Sequence, residues 1–306
     1  MPATYYINHP ADYHRLRGIT TVHPLVSIID FHQFTQTASY PPAAEIEVLK
    51  YGCYAVFLKG GAKCELYYGR RPYDFQEGTL VFVAPGQELT IKKGQLAQPV
   101  TEGYALLFHP DLLAGSPLAK TIHDYRFFDY NAAEGLQLSD KERTIVLDCL
   151  AKISEEASAN TDAHSRRLIV STLQLLLDYA QRFYGRQFHT RFRENQDVIS
   201  RFEQLLRDYF NDDRLIHRGL PKVSYFAEQL HLSSNYLGDL VSEQLGRSPR
   251  DLIQDHIATL AKHRIMAPGA RASEVAYSLG FSQPQHFTRF FKQHIGTTPS
   301  EYRRSN

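Results

Sequence analysis

Tyr236-Leu-Gly-Asp-Leu-Val-Ser-Glu-Gln-Leu-Gly-Arg-Ser-Pro249 and His286-Phe-Thr-Arg-Phe-Phe-Lys-Gln-His-Ile-Gly-Thr-Thr-Pro299 are two copies of one pattern, offset by 50 residues. Leu237 aligns with Phe287, Leu240 with Phe290, Val241 with Phe291, Leu245 with Ile295, Gly246 with Gly296 and Pro249 with Pro299. Upstream the offset is 49, pairing Phe226-Ala227 with Val275-Ala276, Leu230 with Leu279, and Leu232 with Phe281. The one-residue difference falls in the intervening turn, where an insertion disturbs least.

Each copy reads as helix, tight turn, helix. In the second, Ser273 to Leu279 predicts a short helix with Val275, Ala276 and Leu279 facing inward, and Gly280 stands where a left-handed residue is wanted. Ser282 is expected to open the next helix, with Gln285 as its capping-box partner and Pro284 in the first turn. Phe287, Phe290, Phe291 and Ile295 recur at helical spacing as its buried stripe, and Gly296 stops it. Thr298-Pro299-Ser300-Glu301 caps the helix that follows, as Ser248-Pro249-Arg250-Asp251 does in the first copy. A short helix turning sharply into a second is the DNA-reading supersecondary motif.

With the phenylalanines inward, the opposite face shows Gln283, Gln285, His286, Thr288, Arg289 and Lys292. Amides suit base edges, and Arg and Lys suit guanine or phosphate. From Arg271 to Asn306 there are five Lys/Arg against two Asp/Glu. The first copy is the less basic one, with three Lys/Arg and four Asp/Glu between Pro221 and Ile253. Its candidate contacts are Ser234, Asn235 and Tyr236, with Asp239 able to accept from cytosine but unfavourable against phosphate. The stretch from about Asp251 to Met266, ended by Ala267-Pro268-Gly269, predicts a linker helix between the copies. At ~24 Å it would set two reading helices into successive major grooves.

These residues resemble the DNA-binding domain of the AraC/XylS family of transcription regulators. The match is carried by Ser273-Glu-Val-Ala-Tyr-Ser-Leu-Gly-Phe281, His286-Phe-Thr-Arg-Phe-Phe-Lys292, Gly296 and Thr298-Pro-Ser-Glu-Tyr-Arg303, within about Lys222 to Arg304. The resemblance implies a seven-helix domain with two DNA-reading helices. It carries base or phosphate contact onto Arg289 and Lys292, and more loosely onto Gln285, His286 and Thr288. Asp239 departs from the family, in which many members have a basic residue there.

Outward from this repeat the chain changes character. Between Glu45 and Phe108 short aromatic and β-branched runs alternate with Gly60, Gly69, Gly78, Gly86 and Gly94. Tyr54-Ala-Val-Phe-Leu58, Cys64-Glu-Leu-Tyr-Tyr68, Thr79-Leu-Val-Phe-Val-Ala84 and Glu88-Leu-Thr-Ile91 predict short strands of an antiparallel sandwich or small barrel. Tyr73-Asp-Phe-Gln-Glu-Gly-Thr-Leu-Val-Phe-Val-Ala-Pro-Gly86 resembles, less specifically, the cupin-like sensor domain of such regulators. Metal-binding cupins bring paired histidines here, whereas this chain has none between His32 and His109, so no metal and no cofactor are expected. Tyr51, Tyr54, Tyr67, Tyr68 and Tyr73 either line an aromatic ligand pocket or pack as core and surface.

After Ser139 the pattern is helical, opening on a Ser139/Glu142 capping box. From about Thr161 to Phe188, Leu168, Thr172, Leu175, Leu176, Tyr179 and Phe183 define one face, which either packs on the sheet or seals a dimer.

The expected architecture is therefore α+β. An antiparallel, cupin-like β-barrel with flanking helices fills 1–190, its dimerisation and linker region at about 139–190. An all-α double helix-turn-helix domain fills 195–306. The expected function is a DNA-binding transcription regulator and homodimer, reading two adjacent major grooves of double-stranded DNA under control of a small-molecule effector or partner.

The remaining features exclude other classes. A net charge of +1 neither announces nor excludes nucleic acid, since a local patch suffices. No apolar run is long enough for a membrane span, and the N-terminus lacks a signal-peptide profile. Cys53, Cys64 and Cys149 fit buried small side chains in a reducing cytoplasm. No Gly-x-Ser-x-Gly, P-loop or Rossmann fingerprint occurs, and His109 and His123, beside Asp111 and Asp124, read as surface or satisfied histidines, so no catalytic residues are assigned. The rival readings are a β-barrel oxygenase or isomerase carrying a DNA-binding tail, and a protein-interaction module that has lost DNA, the latter resting on Asp239 and Glu243.

Overall fold

The computed structural model describes residues 3–21, 23–33, 45–60, 67–68, 71–72, 78–92, 102–159, 162, 164–190, 192–211 and 219–305. Cys64, Gly61, Gly69, Tyr73 and Gly94, and the side chains of Tyr67 and Tyr68, lie outside the description. The chain divides into two compact units, Met1–Gln187 and Phe188–Asn306.

In the first unit β1 (Ala3–Ile7) leads through helix α1 (Pro10–Arg17) to β2 (Val26–Asp30), β3 (Ile46–Tyr51) and β4 (Tyr54–Lys59). The two-residue strands β5 (Tyr67–Tyr68) and β6 (Arg71–Pro72) pair with each other. They are followed by β7 (Thr79–Val83), β8 (Glu88–Thr90), β9 (Gly103–Phe108) and β10 (Leu136–Gln137), with the short helix α2 (Leu118–Thr121) before the last. A five-stranded antiparallel sheet runs β10-β7-β4-β9-β2, and a three-stranded sheet runs β1-β3-β8.

Both faces of the five-stranded sheet are covered. Ala55, Val83, Ala105 and Leu107 point to a core shared with Ile7, Leu16, Ile46, Leu49 and Tyr51 of the smaller sheet and α1. On the other face Tyr54 stacks on Phe108 with centroids 4.9 Å apart, and Phe82 packs on Phe127 at 4.3 Å. A strand buried on both faces has no polar side to alternate with, which is why Tyr54 to Leu58 is a continuous apolar run.

Two expectations are corrected. The described strands form open sheets, with no closed barrel among them, and β1 pairs with β3 in parallel rather than antiparallel fashion. Parallel neighbours need a long crossover, and this one spans α1 and β2, so no local turn signal announces it. Tyr51 and Tyr54 are core residues, 2% and 7% exposed. Cys53 and Cys149 are buried thiols, and burial pushes Cys53 up to about 12, leaving it inert.

Helix α3 (Asp140–Ser158) opens on the expected box, with the Ser139 amide donating to Glu142 Oε2 at 2.8 Å. Helix α4 (Ser165–Thr190) follows. Its predicted single stripe is two adjacent strips. Leu176 and Phe183 are buried, while Leu168 and Leu175 are each 45% exposed. The buried strip is completed by Ile169, Leu173, Leu177 and Tyr184, so apolar residues span more of this helix than one 3.6-period line allows.

The second unit is helical: α5 (Phe192–Asn211), α6 (Val223–Leu230), α7 (Ser234–Leu245), α8 (Pro249–Ile265), α9 (Ala272–Ser278), α10 (Pro284–Ile295) and α11 (Pro299–Ser305). No helix among the described residues is long and apolar enough to cross a membrane.

Candidate nucleic-acid interface

The repeat folds twice into the same object. In the first copy α6 turns into α7 through His231 and Leu232, and Ser233 caps α7 by accepting the Tyr236 amide at 3.1 Å. In the second α9 turns into α10 through Gly280, whose φ of +83° confirms the left-handed position. Gly246 and Gly296 end α7 and α10 with φ of +67° and +91°, a conformation that side-chain-bearing residues adopt only at a cost.

Each reading helix is held by the stripe the spacing predicts. Leu237, Leu240 and Val241 are buried in α7, and Phe287 and Phe291 in α10. Phe287 meets Phe281 edge-on at 5.4 Å and Phe291 at 5.7 Å, while Phe290 and Ile295 are only half-buried. Helix α8 joins the copies over 17 residues, ~26 Å at 1.5 Å per residue. Ser248 and Asp251 form its capping box, and Arg264 fixes its end to α9 by donating to the Ser278 carbonyl at 2.7 Å. The same hydrogen bonds hold cap carboxyls below their usual range: the Ser248 hydroxyl and amide at Asp251, the Thr298 amide and hydroxyl at Glu301.

The outward face of α10 is open. Gln283, Gln285, His286, Arg289 and Lys292 are exposed, and Thr288 is half-buried with its hydroxyl donating to the Pro284 carbonyl at 3.0 Å. Neither Arg289 nor Lys292 makes an ion pair among the described residues. One expectation fails here. The Ser282/Gln285 box does not form, because Pro284 is the first helical residue and Gln283 the cap, with no side-chain bond of its own. Proline fixes the first helical φ, which sets the start two residues beyond Ser282.

The face of α7 is different. Ser234 is exposed, while Asn235 and Asp239 are half-buried. Tyr236 is 7% exposed beneath Phe188, which removes it from the face the spacing gave it. Phe188 and His189, at the end of α4, are the residues that sequence reasoning missed. They lie outside the repeat, and no local pattern links them to Tyr236 and Glu243.

Two helix-turn-helix elements stand on one spacer helix, the second with an exposed face that bears amides and cations. Residues 226–305 match the family model described as a helix-turn-helix domain. Over 175 residues the chain is 25% identical to the uncharacterized HTH-type transcriptional regulator YfiF of Bacillus subtilis, covering 55% of this chain and 52% of that one. Over 155 residues it is 27% identical to the uncharacterized HTH-type transcriptional regulator YijO of Escherichia coli, covering 51% of each. The chain thus spans about half the length of these curated relatives. Among solved structures it is similar to a transcriptional regulator with an AraC-type DNA-binding domain from Chromobacterium violaceum, at 18% identity and a TM-score of 0.30, covering 36% of this chain and 92% of that one.

Proposed function

We propose that this protein is a sequence-specific transcription regulator of the AraC type that binds double-stranded DNA through its C-terminal unit. The observation that carries the reading is the exposed face of α10, where Gln285, His286, Arg289 and Lys292 stand together on a helix anchored by buried Phe287 and Phe291. Helix α8 supports engagement of two adjacent major grooves, since its length approaches the ~34 Å between successive turns on one DNA face. Arg289 and Lys292 supply guanine or phosphate contact, Gln283 and Gln285 base-edge hydrogen bonds, and His286 and Thr288 the flanks. Ser234, Asn235 and Asp239 form a weaker first face, with Tyr236 withdrawn.

Residues 1–190 act as the sensor and 195–306 as the DNA-binding domain. An effector or partner engages the sheet-rich unit and must bind two states unequally to change DNA affinity. The protein works in the cytoplasm as a homodimer, for which the exposed Leu168 and Leu175 are the supporting feature.

The test is selection of random duplex DNA on the purified protein, compared with a correctly folded Arg289→Ala, Lys292→Ala variant. An enriched motif of two blocks about one helical turn apart, lost in the variant, is the expected result. Loss of the guanine-reading arginine should cost ~1–3 kcal/mol at its base pair, and loss of a phosphate-binding lysine should reduce the salt slope by about 1. No enrichment, with the variant binding like the parent, would overturn the reading.

A further inference from the structure

Because the two reading helices are copies, each position in one has an internal control in the other. At the offset of 50, Tyr236 corresponds to His286, Glu243 to Gln293 and Gln244 to His294. In α10, His286 and Gln293 are exposed, and His294 packs on Phe290 of its own helix, 4.3 Å between ring centroids. In α7 all three positions are engaged by the last residues of α4. The Phe188 ring meets Tyr236 edge-on at 5.2 Å. Gln244 Nε2 donates to the Phe188 carbonyl at 2.7 Å, and Asn195 Nδ2 donates to the same oxygen at 2.6 Å. His189 Nε2 lies 2.8 Å from Glu243 Oε1.

The chemistry of this contact is that of a reversible clasp. The Phe188 carbonyl belongs to the last turn of α4, where carbonyls have no intrahelical donor, so Gln244 caps one helix from another. The His189–Glu243 pair is exposed, and such pairs hold weakly. The clasp covers a flank of α7 that includes Tyr236 in the first turn. In helix-turn-helix proteins the N-terminal residues of the reading helix meet base edges, which a side chain buried under another segment cannot do.

Resting on the DNA-binding reading above, we propose that Phe188 and His189 latch the first reading helix and keep its flank from DNA. The latch opens and closes, so the parent still selects both blocks, and its release strengthens the share of the first. Residues 165–187 of the same helix belong to the sheet-rich unit, so a displacement of its C-terminal end acts on α7 through the chain itself.

The experiment measures affinity of the full chain for the selected two-block duplex and for the same duplex with the first block scrambled. The parent is compared with His189→Ala and Phe188→Ala. His189→Ala removes the imidazole that sits 2.8 Å from Glu243, a change that by itself gives DNA no new contact, whereas release of the latch tightens binding. The expected result is tightening on the two-block duplex by about twofold for His189→Ala and about tenfold for Phe188→Ala, with the scrambled duplex unaffected. His189 is 63% exposed in its side chain, so its variant decides the matter if Phe188→Ala fails to fold. Unchanged or weaker binding by folded variants, with the parent binding normally, overturns the latch alone. A parent that binds neither duplex overturns the DNA-binding reading, and the latch with it.

Discussion

His231 is the described non-glycine residue with a positive φ, +59°, and its counterpart in the second copy is Gly280 at +83°. Both occupy the turn of a helix-turn-helix, donating their amides to Glu228 and Tyr277 carbonyls at 3.1 and 3.0 Å. A side-chain-bearing residue pays ~1–2 kcal/mol for this conformation. Glycine avoids that strain but loses more freedom on folding, returning ~0.5–1 kcal/mol of the gain. His231→Gly should therefore stabilise the second unit by ~0.5–1 kcal/mol and raise its thermal midpoint. A midpoint at or below the parent's would mean that the imidazole makes a contact worth as much as the strain. Gly280 could be assigned from sequence because glycine advertises its conformation, whereas His231 could be found only by aligning it with its copy. At the reading face, exposure of Arg289 and Lys292 was legible from helical spacing, since the buried phenylalanines dictate which side is left. The burial of Tyr236 was not, because its cover lies 48 residues away in the chain.

Helix ends show where local rules hold and where they yield. Ser139, Ser233 and Ser248 each accept an amide from the first turn of their helices, as their positions predict. Gln283 occupies the same place at α10 and makes no cap bond, although Ser233 is its counterpart at the offset of 50. A missing cap at an exposed reading helix is what a functional constraint looks like, since real proteins break local rules mostly at such sites. Gln283→Ser should restore the cap and stabilise the second unit by ~1 kcal/mol, while weakening recognition of the second DNA block through loss of the amide. Thermal unfolding and binding to the selected duplex measure the two effects separately. Stabilisation without loss of binding would remove Gln283 from the interface, and loss of binding without stabilisation would leave the cap unexplained. The elements of the first unit were less legible for a related reason. Strand runs are local, so β4 and β7 could be marked from composition, but the β1–β3 pairing joins segments 43 residues apart at Ala3 and Ile46 and depends on a crossover.

At the scale of the molecule, a sheet-rich unit and a duplicated reading unit raise the question of how many copies act together. Leu168, Thr172, Leu175, Tyr179 and Arg182 recur along α4 at spacings of 4, 3, 4 and 3, the period of a helix–helix seam. The sheet-facing strip of the same helix is already filled by Ile169, Leu173, Leu176, Leu177 and Phe183, all under 5% exposed. Leu168 and Leu175 are left 45% exposed one heptad apart, with Thr172 and Tyr179 half-buried between and beyond them. The occupant proposed for this strip is a second copy of this chain, because the same strip turned about a two-fold axis presents the same residues to itself. Leu168→Glu with Leu175→Glu should convert a dimer into monomers, as seen by sedimentation or light scattering. Circular dichroism and thermal unfolding should change little, since neither leucine fills the core. Binding to a single two-block duplex should survive, while binding to paired copies of it should lose the avidity of two linked domains, of order 10²-fold. An unchanged mass would remove the seam and leave α4 to a different partner. An unchanged mass together with lost DNA binding would instead tie this strip to the reading unit of the same chain.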